Sequence, residues 1–598
     1  MRWIHRVSEA ANGAGAERIA PLLAVAMELP PIIAELLAAR GIASVEEAHR
    51  FLHPSLEHLH SPMEMLGMRV AVERLECAIA AREPMLIYGD YDVDGTMATV
   101  ILKTAIELLG GQCTFHVPHR LLEGYGMRDE VIERAAADGI KLIISVDTGI
   151  RAFAAAQTAE RVGVDLIVTD HHLVAHSEGV PRALAVLNPN QPGCGYPCKD
   201  LCGAGVAFKV AQALLERAGR ERLIPSFLKI VAIATIADSV PLLGENRVFV
   251  SLGLEGLRKV VNPGLSALLE VSELNHGRQL SASDVAFRIA PRMNAAGRMD
   301  VASDVVELFT VKDVVRAKEL ALRLNTLNSA RQQEEQRISE AVLTQVQESD
   351  ELRNAACMVV SGEGWHRGVI GICASRVVER FGRPALVIAV DGEEAHGSGR
   401  SIPGFHLLDA LETVPELFLR FGGHAHAVGF AMRSDNVAEL RQRLNEYALA
   451  KLTGEELQPV LEFDGELTME QVTPRFFESL RALQPFGMGN PEPVFVARGA
   501  TLIGEPKVMR EKHMKLKLRR YVGSQNGSQT SALARGLDAL GWRMAHRLEA
   551  EPIAGGDQVD ILFRIEQNTH PDFGGGLQLV LSDFRRALDA VSAATSAK

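Results

Sequence analysis

Between residues 85 and 170, short apolar runs alternate with longer stretches whose apolar positions recur at helical spacing. The runs at 85–88, 113–117, 141–146 and 164–169 read as strands. Residues 98–109 (stopped by Gly110-Gly111), 128–138 and 152–162 read as helices. Strands and helices alternating over short links predict a parallel, doubly wound sheet. Ligands of such sheets bind beyond the carboxyl ends of the strands. Three of the predicted strands run there into ionisable residues: Asp90-Tyr91-Asp92-Val93-Asp94-Gly95, Asp147-Thr148-Gly149 and Asp170-His171-His172.

The pattern changes along the chain. Residues 1–80 read as a helical region, with helices over 32–40, 45–52 and 70–82; the last sets Ala71, Leu75 and Ile79 on one face. The first α/β domain is expected over 81–300 and includes an apolar helix that ends in Asp238. Residues 301–350 are polar and helical and read as a connector. Strand-like runs at 357–360 and 385–390 flank a helix at 369–381, so 351–455 is expected to form a second α/β domain. From 456 to 590, short strands punctuated by Gly465, Pro485, Gly487, Gly489, Pro491 and Pro493 suit an OB-like β-barrel. Residues 591–598 read as a frayed tail. The expected fold class is therefore α/β: two α/β domains joined by a long helical connector, plus a C-terminal OB-like barrel.

A length of 598 residues with 47% apolar content supports several cores. The net charge of −12 argues against indiscriminate polyanion binding. Seven scattered cysteines point to a reducing compartment. Cys194, Cys198 and Cys202 recur at every fourth residue, but no fourth zinc ligand stands near them. The apolar stretch 19–37 is broken by Glu28, Glu35 and three prolines, too often for a membrane span, and Met1-Arg2-Trp3 opens no secretory leader. A cytoplasmic, monomeric protein without membrane contact is expected.

Asp90, Asp92 and Asp94 alternate, which on extended backbone would point them to one side. Acids brought together in this way call for divalent cations. An EF-hand loop counted from Asp90 would need Glu at its twelfth position, where Ile101 stands. With Asp147, His171 and Asp238, the three acids make a candidate site for two Mn²⁺ or Mg²⁺ ions about 3.5–4 Å apart, a geometry that makes water a nucleophile toward phosphorus. Asp94 or Asp147 is expected to bridge, and His172 to bond a phosphate or protonate a leaving oxygen.

Arg292 and Arg298 flank Asn294 among small residues, and the segment reads either as a phosphate contact or as helix-end packing. In the second α/β domain, Arg400-Ser401 and a Gly-rich turn with Gly423 and His424 allow close approach of a substrate. Lys507–Tyr521 holds seven basic residues, with Lys515, Lys517 and Arg519 at alternate positions, against Glu511 alone. A basic strand on a barrel suits single-stranded nucleic acid.

These motifs resemble the DHH phosphoesterase superfamily, whose signature triplet matches Asp170-His171-His172. Its other motifs match Asp90–Gly95, Val146–Gly149 and Ile236–Asp238, and its associated C-terminal subdomain resembles 364–371, 398–408 and 422–429. With 291–298 and 484–491, the resemblance narrows to the bacterial single-strand-specific exonucleases of that superfamily. It implies hydrolysis of single-stranded DNA from the 5′ end to 5′ mononucleotides with Mg²⁺ or Mn²⁺, in recombination and repair. Single-strand-binding protein and a RecQ-type helicase are the implied partners. The alternatives are a superfamily enzyme acting on small nucleotides or nanoRNA, and a catalytically silent replication scaffold.

Overall fold

The structure is a computed structural model and describes residues 2–6, 16–120, 122–124, 126–175, 179–274, 277–453, 460–522, 533–568 and 575–587. The expected tail at 591–598 lies outside the described residues. The chain forms two compact units, one of residues 55–459 and one of residues 1–54 with 460–598.

In the larger unit, the first sheet has five parallel strands in the order Gln112–His116, Pro84–Tyr88, Leu142–Val146, Asp165–Thr169, Ala185–Leu187. The chain order across the sheet reverses between Pro84–Tyr88 and Leu142–Val146, which is the topological switch point of a doubly wound fold. The three central strands, Pro84–Tyr88, Leu142–Val146 and Asp165–Thr169, are apolar runs because both faces are covered. Met85, Ile87, Leu142 and Ile144 enter one core, while Leu86, Tyr88, Ile143 and Val168 enter the other.

The helix Val314–Glu348 has 35 residues, about 52 Å at 1.5 Å per residue. Ala317, Leu320 and Leu324 pack into the core of the first domain. Ile338, Val342 and Val346 pack with Trp365, Val369 and Val387 of the second. One helix thus spans two cores. The second domain carries the sheet Phe418–His424, Ala427–Arg433, Glu394–Arg400, Ala385–Asp391, Met358–Glu363, antiparallel except for its last pair. The segment read as a Gly-rich turn is a hairpin, with Gly423 and His424 at the end of one strand.

The smaller unit holds a seven-stranded sheet whose edge strand Lys507–Met509 pairs antiparallel with His513–Val522. A bridge from Leu502 to Leu518 curls the sheet toward closure. The reading of residues 1–80 as one helical region needs correction. Arg2–His5 is a strand paired in parallel with Val460–Phe463. Helices Ala16–Ala26, Pro31–Ala39 and Val45–Leu52 belong with the C-terminal sheet, whereas Met68–Ala81 packs in the larger unit. Arg40 fixes this arrangement, its guanidinium donating to Asn490 Oδ1 and to the Pro491 carbonyl. Among the described residues no helix is long and apolar enough to cross a membrane.

Candidate active site

Strand Pro84–Tyr88 delivers the first acids, but not on extended backbone throughout. Asp92 is the N-cap of helix Val93–Leu108, its Oδ1 accepting the Gly95 N–H at 3.0 Å, a contact worth about 1 kcal/mol. Asp94 therefore sits in the first helical turn. The alternate-position reading is corrected here: a capped helix start brings the acids together, because Asp suits the N-cap and negative charge suits the helix N-terminus. Close packing makes the bend: a Cβ on Gly95 would stand 2.6 Å from the Asp90 Cβ.

Asp147 follows the neighbouring strand across the switch point. Its φ is 59°, a left-handed conformation that is uncommon outside glycine. Gly203 approaches so closely that a Cβ there would lie 2.5 Å from the Asp147 Cβ. Gly203 also opens helix Gly203–Arg217, and the amides of Gly203 and Ala204 donate to the two oxygens of Asp94 at 2.6 and 2.9 Å. Asp94, held in this way on both oxygens, is the weaker of the two expected bridging groups.

His171 lies among the acids: its Nε2 is 3.3 Å from Asp147 Oδ1 and 3.8 Å from both Asp94 Oδ2 and Asp238 Oδ2. His172 turns its Nδ1 onto Asp170 Oδ1 at 2.7 Å. The same Asp170 oxygen accepts the backbone N–H groups of His171 and His172, while Oδ2 accepts that of Ile150. Asp170 thus orients the His172 imidazole and pins the backbone that carries His171.

Among the described residues, three groups place one ligand atom each within 4.8 Å of one another: Asp90, Asp92 and Asp147; Asp94, His171 and Asp238; and Asp147, His171 and His172. Asp147 joins the first group to the third, and His171 joins the third to the second. Asp90 Oδ1, Asp147 Oδ1 and Asp238 Oδ2 are buried without a hydrogen-bond partner. Native interiors seldom tolerate such orphans, and hard cations satisfy them. The residues present therefore fit a pair of divalent ions. None of these groups contains a cysteine, in keeping with the free thiols throughout.

The protonation pattern follows from burial. Burial and then the Asp92 charge push Asp90 up to about 8. Burial and then Asp94 and Asp92 push Asp238 up to about 9. Asp92 and Asp147 are raised for the same reasons, Asp147 well above the carboxylate range. Burial lowers His171. Burial also opposes charge on His172, but the Asp170 hydrogen bond outweighs it and His172 is raised. Asp170 itself is lowered, burial being overcome by His172 and the backbone donors.

The remaining candidates divide. Arg292 donates to Asn325 Oδ1 at 2.9 Å and to the Val271 and Arg288 carbonyls, contacts of the helix-packing kind. Asn294 Oδ1 accepts the Val93 N–H at 3.3 Å and so positions the acidic loop. Arg298 donates to the Gly368 carbonyl at 3.2 Å, joining the two α/β domains. Burial and then Arg120, Arg331 and Arg400 lower it to about 10, which marks a cluster of four guanidinium groups near the acids. Arg400 donates to the Gly399 carbonyl at 2.7 Å and is lowered by burial and then by Arg120. Ser401 Oγ is engaged by the Phe405 carbonyl at 2.7 Å. His424, Ala427 and Arg400 form one row across three strands, and burial, His426 and Arg400 lower His424. Lys515, Lys517 and Arg519 lie on a strand of the smaller unit. Arg120, Arg331, Tyr91 and the Gly203–Ala204 amides were not among the sequence candidates. Arg120 stands over the Tyr91 ring at 5.0 Å, and Pro118-His119-Arg120 after a strand was the available signal.

Acids at the switch point, a histidine pair and the associated second domain define a phosphoesterase of the DHH class. Residues 84–235 match the DHH family N-terminal domain, 354–450 the DHHA1 domain and 463–583 the RecJ OB domain. The chain belongs to the RecJ family. It is 37% identical over 561 residues to the single-stranded-DNA-specific exonuclease RecJ of Dickeya dadantii, covering 89% of this chain and 95% of that one. The RecJ of Bacillus subtilis is 39% identical over 82% of this chain, which spans 62% of that relative's length. A crystal structure of Thermus thermophilus RecJ in complex with Mn²⁺ superposes with a TM-score of 0.80 at 28% identity, covering 98% of this chain and 80% of that one.

Proposed function

We propose that this protein is a metal-dependent exonuclease that hydrolyses single-stranded DNA from the 5′ end, releasing 5′ mononucleotides, in DNA recombination and repair. The observation that carries it is the pair of ligand groups, joined through Asp147 and His171, each with a buried carboxylate oxygen that has no hydrogen-bond partner. Asp90, Asp92 and Asp147 would hold one Mn²⁺ or Mg²⁺ ion, and Asp94, His171 and Asp238 the other. When bound, such a pair supplies Lewis acidity toward the phosphoryl oxygens and brings the pKa of a water near neutrality.

The chain's own groups do the rest. Hydrolysis breaks the bond between phosphorus and the 3′ oxygen of the terminal nucleotide, leaving a new 5′ phosphate on the shortened strand. His172, whose pKa is raised by its hydrogen bond to Asp170, is suited to give a proton to that leaving oxygen. Arg298 and Arg400, with Arg120, would receive the terminal phosphate through charge-assisted hydrogen bonds, and Ser401, Gly423 and His424 would contribute to the same subsite. Lys515, Lys517 and Arg519 would hold the strand downstream. Single-strand-binding protein and a RecQ-type helicase fit as partners, the one presenting and the other generating single strands. A cytoplasmic, monomeric enzyme completes the reading.

Digestion of 5′-labelled and 3′-labelled single strands with Mn²⁺, beside a duplex control, tests it. Early mononucleotide release from the 5′ label alone, with the duplex spared, is expected. Early release from the 3′ label, or equal attack on the duplex, overturns it.

A further inference from the structure

On strand His513–Val522, Met514, Leu516 and Leu518 are buried, so Lys515, Lys517 and Arg519 share the opposite, outer face. That row begins at His513. Met514 pairs with Gly541, the last residue of the adjacent strand Leu533–Gly541, so the next residue, Trp542, falls beside His513. The two rings meet edge to face, 5.0 Å apart at 80°. Trp542 nevertheless remains 52% exposed.

The position of the indole is prepared. The Arg543 N–H donates to His513 Nδ1 at 2.9 Å, fixing the imidazole against which the indole rests. Arg543 has a φ of 58°, and Arg510 and Glu511 in the adjoining hairpin turn have φ values of 48° and 58°. The Ala545 N–H donates to the Lys512 carbonyl at 3.2 Å, tying the two turns together. The basic residues of the two turns and of the paired strand ends are Lys507, Arg510, Lys512, Lys515 and Arg543. The anions are Glu511 and Asp538, the latter paired with Lys515 at 2.7 Å.

A flat apolar ring at the end of a cationic row asks for a ligand with both flat apolar faces and regular negative charge. Single-stranded nucleic acid has both, whereas a duplex hides its base faces in the stack and an acidic peptide offers charge without rings. We propose that Trp542 is a base-stacking platform at the start of the Lys515–Lys517–Arg519 track, so that this surface grips one unstacked base as well as the backbone. This rests on the reading of the smaller unit as a nucleic-acid binder.

The test uses the full-length protein in chelator, where no strand is cut. Trp542 is the exposed indole, since Trp365 is buried and Trp3 donates its Nε1–H to Asp583. Tryptophan emission should therefore change on titration with an oligothymidylate, and Trp542→Phe should remove that change while keeping near wild-type affinity. Trp542→Ala should weaken binding about tenfold, the scale of one base–aromatic stack, with an unchanged salt slope. The same variant should bind an abasic strand of equal length as the wild type does. If Trp542→Ala binds the oligothymidylate normally while Lys517→Ala and Arg519→Ala weaken it, the platform is overturned and the basic track stands. If none of these variants alters binding, the nucleic-acid reading of this surface falls as well. Equal losses on abasic and normal strands also overturn stacking, and Trp542→Phe with unchanged thermal denaturation excludes misfolding as the cause.

Discussion

Asp147 is more constrained than any other acid in the site. It holds a left-handed backbone, its carboxylate is shared between ligand groups, and Gly203 packs so close that a Cβ there would collide with it. Asp147→Ala should leave the fold intact but lower kcat/KM by about a thousandfold or more, since a lost cation costs several kcal/mol of transition-state stabilisation. Circular dichroism and Mn²⁺ calorimetry should show a folded protein that binds fewer ions; full activity at saturating Mn²⁺ would remove Asp147 from the site. The acids also link stability to pH. Asp90 and Asp238 titrate near 8 and 9 in the cation-free fold, against about 4 when unfolded. Their stabilisation is complete below the unfolded value and is lost as pH rises through the folded values. Cations replace those protons, so the Tm gap between Mn²⁺-loaded and chelated protein should widen from pH 6 to pH 9. Paired thermal scans read this directly; a constant gap means that the ions bind elsewhere.

Among the elements, the buried strands of the first domain were legible because a parallel strand covered on both faces must be an apolar run. Their ends then pointed to the acids. The start of helix Val93–Leu108 was not legible, because Asp92-Val93-Asp94 fits an extended stretch as well as a capped helix until Gly95 closes onto Asp90. The hairpin through Gly423 was read as a turn because its glycines and histidines carry no strand propensity; pairing with Ala427–Arg433, itself paired with Glu394–Arg400, makes it a strand. Arg2–His5 was missed because its partner Val460–Phe463 lies more than 450 residues away, and a four-residue strand has no period of its own. The grip of helix Gly203–Arg217 on Asp94 was hidden for the same reason, being a contact across 109 residues. That element makes its own prediction. Gly203→Ala would put a methyl carbon 2.5 Å from the Asp147 Cβ and so displace either the aspartate or the helix start. Mn²⁺ affinity should fall at least about tenfold, while Gly205→Ala, whose Cβ meets nothing nearer than 3.4 Å, should be tolerated. Equal metal affinity in the two variants would show that the close approach has no bearing on the site.

For the molecule as a whole, charge is sorted rather than balanced. A chain with a net charge of −12 gathers its carboxylates at a switch point and its cations in a guanidinium cluster and on one barrel strand. Net charge alone hides this sorting, whereas the alternation of Lys515, Lys517 and Arg519 with buried residues shows it in the sequence. The division of the chain into residues 55–459 and a second unit assembled from both ends was beyond a linear reading, since nothing in composition joins residue 54 to residue 460. This division of labour can be measured. Binding by phosphate contact follows counterion release, so each lost cation lowers the log–log salt slope by about 0.7 on single strands. Replacing Lys515, Lys517 and Arg519 with Ala together should cut that slope by up to about 2 and raise KM for long strands. On an oligonucleotide too short to leave the acids, kcat should hold, because the chemistry needs only the residues of the larger unit. Steady-state kinetics on the two lengths at three salt concentrations separates the outcomes. A loss confined to long strands assigns the basic strand to binding, whereas an equal fall in kcat on both would place it in the catalytic step.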